Sequence, residues 1–271
     1  MVIKSFEVRC MKYLSAKSKL NIESQDGGFT TTFLGYCLER EILDAVVVVK
    51  SKNWKPIAYL ATNTVELLES PKSKYSISPN NKLLEYATEN YDKVGLVGLP
   101  CHILGGLQFD LTLKVGLFCT KNFYYDTIKS IIKERFGVNI DEVYKMNITK
   151  GKFVVETLKR EGFAKTEKVV YEIPIKEIEK LCNLGCRVCT DFSAKYADVS
   201  VGSVGSEDGW NTVIVRNKMA EEIINDMVDK GLIEIKEEVD IKAVEKLEDI
   251  KKKNEEINKC SAYFAVCPAL F

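Results

Sequence analysis

Apolar positions along the chain alternate between helical spacing and short β-branched runs. In helical segments they recur every three or four residues, whereas a buried strand is typically a continuous run of about four to eight residues. The successive elements predicted in this way are a helix at 29–41, a strand at 45–50, a helix at 81–89, strands at 94–98 and 112–118, and a helix at 126–136. This alternation predicts an α/β (α+β) fold, with a mixed sheet flanked by helices.

The pattern becomes strand-like between residues 144 and 175, with polar turns between its segments. We interpret this region as an antiparallel insertion or subdomain. The predicted elements here and beyond are strands at 152–158 and 168–173, a strand between Cys189 and Ser203, a strand at 212–216 and a helix at 218–230. We therefore predict a single domain over residues 1–238 that contains the insertion, followed by a helix and tail over residues 239–271.

The C-terminal segment, residues 239–259, is rich in Lys and Glu and predicts a charged helix. Its narrow apolar stripe consists of Ile241, Val244, Leu247 and Ile250. The first two turns are expected to close the protein's own core, whereas residues 251–256 offer little to bury. The apolar residues of the tail are Tyr263, Phe264, Val266, Leu270 and Phe271. An apolar tail behind a polar spacer predicts a partner-binding segment over residues 260–271.

Composition and charge exclude several classes of function. Of the 271 residues, 46% are hydrophobic, and the 39 Lys and Arg residues balance the 39 Asp and Glu residues, so no net charge recruits nucleic acid. The longest aliphatic run, residues 45–49, is too short to form a transmembrane segment. The single histidine, His102, excludes multi-histidine metal sites and argues against a Ser/His/Asp hydrolase.

The nine cysteines are odd in number and widely spread, which favours a reducing, cytoplasmic location over a disulfide framework. Cys186 and Cys189 form a C-x-x-C pair, which alone also fits a dithiol redox pair or two buried thiols. Cys101 and Cys119 each follow a predicted strand, and such strand ends face the ligand crevice of an open α/β sheet. Together, with Cys182 as a fifth candidate, these thiols predict a zinc or iron–sulfur site. The cysteines interpreted as structural are Cys10, Cys37, Cys260 and Cys267.

Two glycine-containing loops lie where a phosphate could bind. The first consists of Ser24, Gln25, Asp26, Gly27 and Gly28. It precedes the first predicted helix, whose N-terminal N–H groups favour a pyrophosphate. The second consists of Ser203, Val204, Gly205 and Ser206. Both loops also fit ordinary turns, and neither matches a Walker A or G-x-G-x-x-G motif. The residues alone therefore predict a metal–thiolate protein with a possible site for a phosphorylated cofactor.

Several short motifs occur in a definite order between residues 24 and 216. They are Gln25-Asp26-Gly27-Gly28, Lys74-Tyr75 with Ser78-Pro79-Asn80, Leu99-Pro100-Cys101, Gly116-Leu117-Phe118-Cys119 with Asn122-Phe123, Gly185-Cys186 with Cys189, Ala197-Asp198-Val199-Ser200, and Gly209-Trp210-Asn211-Thr212-Val213-Ile214. Together they resemble the beta-subunit family of coenzyme F420-dependent hydrogenases and dehydrogenases. Their joint occurrence makes the resemblance specific, although no single motif does.

The resemblance implies a module that carries FAD and one 4Fe-4S cluster and exchanges a hydride with the deazaflavin coenzyme F420. The implied cluster ligands are Cys101, Cys119, Cys186 and Cys189. Cys182 is an extra thiol relative to the family pattern. It stays an alternative fourth ligand, because a C-x3-C-x2-C arrangement with Cys101 is also chemically adequate.

The resemblance also implies where FAD lies and what the chain assembles with. FAD is expected against the 24–28 and 203–206 loops, Lys74, Tyr75 and Asn122. The implied partners are the large and small subunits of a hydrogenase, or the subunits of a formate dehydrogenase. The compact length, without a ferredoxin extension, fits the hydrogenase branch.

Overall fold

The structure is a computed structural model that describes residues 11–161 and 165–254. The strands are β1 Lys12–Ser18, β2 Ala45–Lys52, β3 Lys55–Ala61, β4 Val94–Gly98, β5 Leu113–Leu117, β6 Val143–Thr149, β7 Lys152–Glu161, β8 Lys165–Pro174, β9 Val199–Gly202, β10 Asn211–Val215 and β11 Ile233–Lys236. The helices are α1 Phe29–Glu39, α2 Thr64–Leu67, α3 Leu84–Asn90, α4 Pro100–Gly106, α5 Tyr125–Phe136, α6 Ile175–Ile178, α7 Leu184–Val188, α8 Lys218–Asp229 and α9 Ile241–Lys252.

The larger sheet has eight strands in the order β11-β1-β10-β9-β5-β4-β2-β3. The pairs β9–β5, β5–β4 and β4–β2 are parallel, and the remaining pairs are antiparallel. Residues 45–48 of β2 are all buried, as expected for a β-branched strand that is covered on both faces. The sheet and its flanking helices confirm the predicted mixed α/β architecture.

The parallel strands β4 and β5 end at the same edge of the sheet. Gly98, the last residue of β4, is paired with Gly116, the penultimate residue of β5. Cys101 then lies in the first turn of α4, and Cys119 follows β5 directly after Phe118. The prediction that both cysteines follow buried strands is therefore confirmed.

The smaller sheet is antiparallel, in the order β6-β7-β8, and confirms the predicted antiparallel region. Helix α5 packs against it through Ile128 and Ile132, which share a core with Met146 and Phe153. Gly137, with a φ of 68°, ends α5 in the left-handed conformation that glycine adopts at low cost. The core between α5 and the smaller sheet is separate from the core of the large sheet.

Helix α9 packs against the large sheet by part of its apolar stripe. Val244 is buried and Leu247 is partly buried, both against a cluster that includes Phe192, whereas Ile250 is exposed. The expectation that residues 251–256 have little to bury is wrong for Lys251, whose exposed fraction is 5%. The predicted end of this helix at residue 259 and the predicted partner-binding tail lie outside the described residues, as do Cys10, Cys260 and Cys267.

Three strands of the large sheet, β1, β3 and β11, are not among the predicted elements. They carry polar residues within short segments, and their pairing with distant strands decides their conformation. The C-x-x-C segment forms the short helix α7 and the turn after it. Within the described ranges, no helix is both long and apolar enough to cross a membrane.

Candidate functional site

A cavity lies at the carboxyl edge of the parallel strands, between the two sheets. The ends of β4, β5 and β9 line it, and Asn147 and Ile148 contribute from β6. Its internal space is about 270 Å³, and it is partly open to solvent. Ligands of open α/β sheets bind beyond the carboxyl ends of the strands, so this cavity is the candidate cofactor site.

The 24–28 loop forms one side of the cavity. The members that line it are Ser24, Gln25, Asp26 and Gly28. The Gln25 amide donates to the carbonyl of Met146 at 3.0 Å and accepts from the backbone N–H of Ser73 at 3.1 Å. Burial raises the pKa of the Asp26 carboxyl, and the nearby Lys145 opposes that rise. Gln25 therefore joins the loop to both the smaller sheet and the segment that contains Lys74.

The first turn of α1 also faces the cavity. Gly28 precedes it with a φ of 75°, and the N–H of Phe29 donates to the side-chain oxygen of Asn211 at 3.1 Å. Thr30 and Thr31 line the cavity in the same turn. Backbone N–H groups at this position have no acceptor within the helix. The helix start therefore offers donors to an anion, in line with the prediction for this loop.

Lys74 lines the cavity but is held by its own loop. Its ammonium donates to the carbonyls of Val49 at 2.9 Å, Ser70 at 3.0 Å and Pro71 at 2.6 Å. Burial lowers the pKa of Lys74 to about 8. The three carbonyls stabilise the buried cation, so the lysine shapes this side of the cavity whether or not it contacts a ligand.

Tyr75 and Asn122 lie on adjacent backbone segments that both line the cavity. The carbonyl of Tyr75 accepts from the N–H of Phe123 at 3.1 Å, and its hydroxyl donates to Asn147 at 2.9 Å. Burial raises the pKa of the Tyr75 phenol. These contacts fix the Tyr75 segment beside the chain that follows β5, where Cys119 also lies.

Only part of the 203–206 loop lines the cavity. Ser203 and Val204 line the cavity. Ser206 instead hydrogen-bonds through its hydroxyl to Ser15 and Thr212, each at 2.6 Å. Gly205, with a φ of 99°, lies against α9 and the residues before it, where a Cβ would be 3.0 Å from the carbonyl of Asp240.

Gly27 does not line the cavity either. A Cβ there would come within 2.8 Å of the backbone of Ala16 and of Asn211. Gly27 is therefore required for close packing between the loop and the sheet. This packing gives a structural reason for the glycine that does not depend on contact with a phosphate.

The four thiols implied by the resemblance are close enough for their charges to interact. Burial raises the pKa of Cys119, and Cys186, Cys101 and Cys189 each raise it further by their charge. Burial also raises the pKa of Cys101, followed by the effects of Cys189 and Cys186. A group of thiols that repel one another as thiolates is suited to a cationic metal centre, which removes the repulsion.

Asn122 joins the thiol group to the cavity. Its backbone N–H donates to the Cys186 sulfur at 3.3 Å, and its carbonyl accepts from the N–H of Asn183 at 2.8 Å. Burial raises the pKa of Cys186, and the hydrogen bond from Asn122 lowers it. Hydrogen bonds from N–H groups to sulfur are one of the features that set the reduction potential of iron–sulfur centres. Cys119 also lines the cavity and is a second connection between the cavity and the thiol group.

Cys182 has a different environment. It is 6% exposed and belongs to the hydrophobic core of the smaller sheet, together with Ile178 and Ile173. Its charge affects the pKa of Cys186, which packs against the same core. Its surroundings are those of a buried core thiol and favour Cys119 as the fourth ligand.

The donor set consists of soft thiolate ligands. No group of three or more Cys, His, Asp or Glu side chains in the described part of the chain is arranged to hold one metal ion. Thiolates are the usual ligands of iron–sulfur clusters. Four separate thiols around one region are compatible with such a cluster.

Two residues that the sequence did not assign to the site, Ser78 and Asn80, also line the cavity. Both are buried, and the Ser78 hydroxyl and the Asn80 side-chain oxygen have no hydrogen-bond partner among the described residues. The Asn80 amide donates to the carbonyl of Val97 at 3.0 Å, which fixes its orientation. Unpaired buried polar atoms are costly, so they fit a ligand that carries N–H or O–H donors. Their place in the Ser78-Pro79-Asn80 motif could have identified them.

The fold and the site define this chain as an α/β protein with a candidate cofactor cavity beside a group of thiols. The chain belongs to the coenzyme F420 hydrogenase/dehydrogenase beta-subunit family. The family's N-terminal model matches residues 13–85, and its C-terminal model matches residues 91–241. The two matched regions include all the motifs on which the resemblance rests.

Relatives with functional names support the same family. The coenzyme F420 hydrogenase subunit beta of Methanothermobacter thermautotrophicus is 36% identical over 87% of this chain and 88% of its own length. The coenzyme F420-dependent sulfite reductase of Methanocaldococcus jannaschii is 40% identical over 89% of this chain, which spans only 40% of that protein. A chain of the F420-reducing [NiFe] hydrogenase complex from Methanosarcina barkeri superposes with a TM-score of 0.83, at 32% identity, and the match covers 95% of this chain and 94% of that one.

Proposed function

We propose that this chain is the beta subunit of an F420-reducing hydrogenase, and that it transfers electrons between a 4Fe-4S cluster and coenzyme F420 through FAD. The supporting observation is that Cys119, one of the four thiols, lines the cavity, and that Asn122, which also lines it, donates to the sulfur of Cys186. A cofactor in the cavity would therefore lie next to a cluster on the thiols. Such contact is what electron transfer between the two requires.

The proposed FAD site is formed by Ser24 to Gly28, Lys74, Tyr75, Asn122 and the 203–206 loop. Within it, the first turn of α1 would hold the pyrophosphate by its N–H groups. Ser78 and Asn80 would accept hydrogen bonds from the donors of the cofactor, which would satisfy their unpaired oxygens. Gly205, Ser206 and Gly27 would support the site through packing and hydrogen bonds.

The proposed cluster site is formed by Cys101, Cys119, Cys186 and Cys189. When bound, FAD would supply the conversion between the single electrons of a cluster and the hydride of a deazaflavin. The protein's part is to hold the two cofactors side by side and to exclude water. Phe118 and Phe192, whose ring centroids are 5.0 Å apart, line the cavity beside Cys119 and cover this region with apolar surface. No side chain is required as a general acid or base.

As part of the same proposal, residues 1–238 form one FAD and iron–sulfur domain, and residues 239–271 form a helix and tail. The chain would act in the cytoplasm with the large and small subunits of a hydrogenase. It would exchange electrons with them through the cluster.

A second candidate is an equivalent role in another F420-linked enzyme, such as a formate dehydrogenase or a sulfite reductase. The 40% identity to the F420-dependent sulfite reductase favours this candidate, because a domain of the same kind is present there within a longer protein. A zinc–thiolate module without redox activity is the alternative from a different class.

The test is anaerobic purification or reconstitution, followed by measurement of FAD, iron and acid-labile sulfide per chain. We expect one FAD, four iron atoms and four sulfides per chain in about stoichiometric amounts. We also expect reduction of coenzyme F420 by an artificial donor. A colourless protein that contains zinc would reject the proposal. Co-purification with hydrogenase subunits, or instead with those of another reductase, would separate the first candidate from the second.

A further inference from the structure

Lys251, in the last turn of α9, is a buried cation close to the thiol group. Its exposed fraction is 5%, whereas the side chain of its neighbour Lys252 is 60% exposed and pairs with Asp249 at 3.2 Å. Among the ion pairs of the described residues, none includes Lys251. A buried cation is costly without a compensating negative charge.

The end of α9 is attached to the chain that carries the thiols. The side-chain amide of Asn254 donates to the carbonyl of Cys189 at 2.8 Å. One turn before Lys251, Glu248 accepts a hydrogen bond from the Ser193 hydroxyl at 2.5 Å. These two contacts, on either side of Lys251, hold the helix against the segment that follows the C-x-x-C pair.

The apolar face of α9 packs against the same part of the protein. Val244 is buried against Phe192, and Phe192 is in contact with the ring of Phe118. Phe118 immediately precedes Cys119, so α9 packs against a cluster that includes the residue before Cys119 and is hydrogen-bonded to Cys189. The position of Lys251 is therefore set by packing and hydrogen bonds on a rigid element.

Lys251 affects the pKa of thiols on two chain segments. Its charge lowers the pKa of Cys119 and of Cys186, against the larger opposing effect of burial. Glu248, Lys251 and Asn254 follow one another at intervals of three residues, and the outer two contact Ser193 and Cys189, so this face of the chain meets the segment of the C-x-x-C pair. The same lysine would face the metal centre that those thiolates hold.

We propose that Lys251 is a positioning residue of the cluster site, whose positive charge compensates the thiolates and raises the reduction potential of the cluster. The inference rests on the proposed function, because it requires a cluster on these thiols. Reduction adds one electron, breaks no bond and makes the centre more negative by one charge. A fixed cation nearby stabilises the reduced form more than the oxidised form, and local charge is one determinant of cluster potential.

The experiment compares Lys251→Gln, Lys251→Arg and the control Lys252→Gln in the full chain after anaerobic reconstitution. Iron and sulfide content are measured first, and the midpoint potential is then measured by dithionite titration followed by electron paramagnetic resonance. We expect Lys251→Gln to lower the midpoint potential, while Lys251→Arg and Lys252→Gln stay close to wild type. The shift should also shrink at high salt less than that of an exposed charge would, because the lysine is buried.

Each result decides the question. Full cluster content with an unchanged potential in Lys251→Gln would overturn the inference and leave the proposed function intact. Loss of iron in Lys251→Gln with retention in Lys251→Arg would support it, because Arg keeps the positive charge that Gln lacks. Equal loss of iron in both variants would overturn it, since the role would then be one of shape. A wild-type protein without iron and sulfide would reject the proposed function itself.

Discussion

Replacing Cys182 by serine should separate the two possible ligand sets for the cluster. Cys182 is buried in the core of the smaller sheet against Ile178, whereas Cys119 lines the cavity and interacts electrostatically with the other three thiols. The Cys182→Ser protein should therefore keep its cluster and lose stability. The Cys119→Ser protein should lose its cluster, because a hydroxyl is a poor substitute for a soft thiolate.

The size of the stability loss follows from the burial of Cys182. Serine would place a hydroxyl among apolar side chains, and an unsatisfied buried hydroxyl costs about 1–3 kcal/mol. For a domain of this size, each kcal/mol shifts Tm by about 2–4 °C, so a decrease of roughly 2–12 °C is expected. A smaller decrease would indicate that the hydroxyl finds an acceptor in the surrounding backbone.

The assay combines thermal unfolding followed by circular dichroism with iron, sulfide and electron paramagnetic resonance measurements on the same samples. Cys37→Ser is a matched control, because Cys37 is a fully buried thiol in the core of the large sheet and is not in the thiol group. It should lower Tm to a similar extent and leave the cluster unchanged. Loss of the cluster in Cys182→Ser with full retention in Cys119→Ser would refute the ligand assignment.

Three further outcomes are expected. Asn80→Ala should weaken FAD binding by about tenfold, since one hydrogen bond is worth about 1 kcal/mol or somewhat more; equilibrium dialysis measures this, and unchanged affinity would place FAD away from Asn80. Gly202→Ala should destabilise the fold and lower flavin occupancy, because the new Cβ would lie 2.1 Å from the Phe118 ring; a normal Tm and full occupancy would contradict it. In the cofactor-free protein, the free energy of unfolding of the wild type should rise relative to that of Lys74→Met between about pH 8 and pH 10.5. The reason is that burial lowers the pKa of Lys74 to about 8, so the unfolded chain binds more protons than the folded one in this range. Urea denaturation measures both free energies, and a constant difference between the two proteins across the range would show that the lysine is not buried as described.

The sequence by itself determined the elements that surround the site. The apolar runs before Cys101 and Cys119 are local signals of buried strands, and they predicted that both thiols follow strand ends. The 24–28 loop before α1 was likewise recognisable, because a glycine-containing loop and the start of a helix are adjacent in sequence. The motifs in their order also predicted the family, which the family models confirm.

Only the tertiary structure decided which side chains meet. Gly205 and Lys251 illustrate the reason: the first packs against the segment that leads into α9, and the second is buried although it lies in a highly charged run. Local periodicity predicts whether a segment is helix or strand, but the direction of one side chain depends on elements far away in the chain. The same applies to Cys182, which has ligand spacing in the sequence and a core environment in the structure, because the smaller sheet surrounds it.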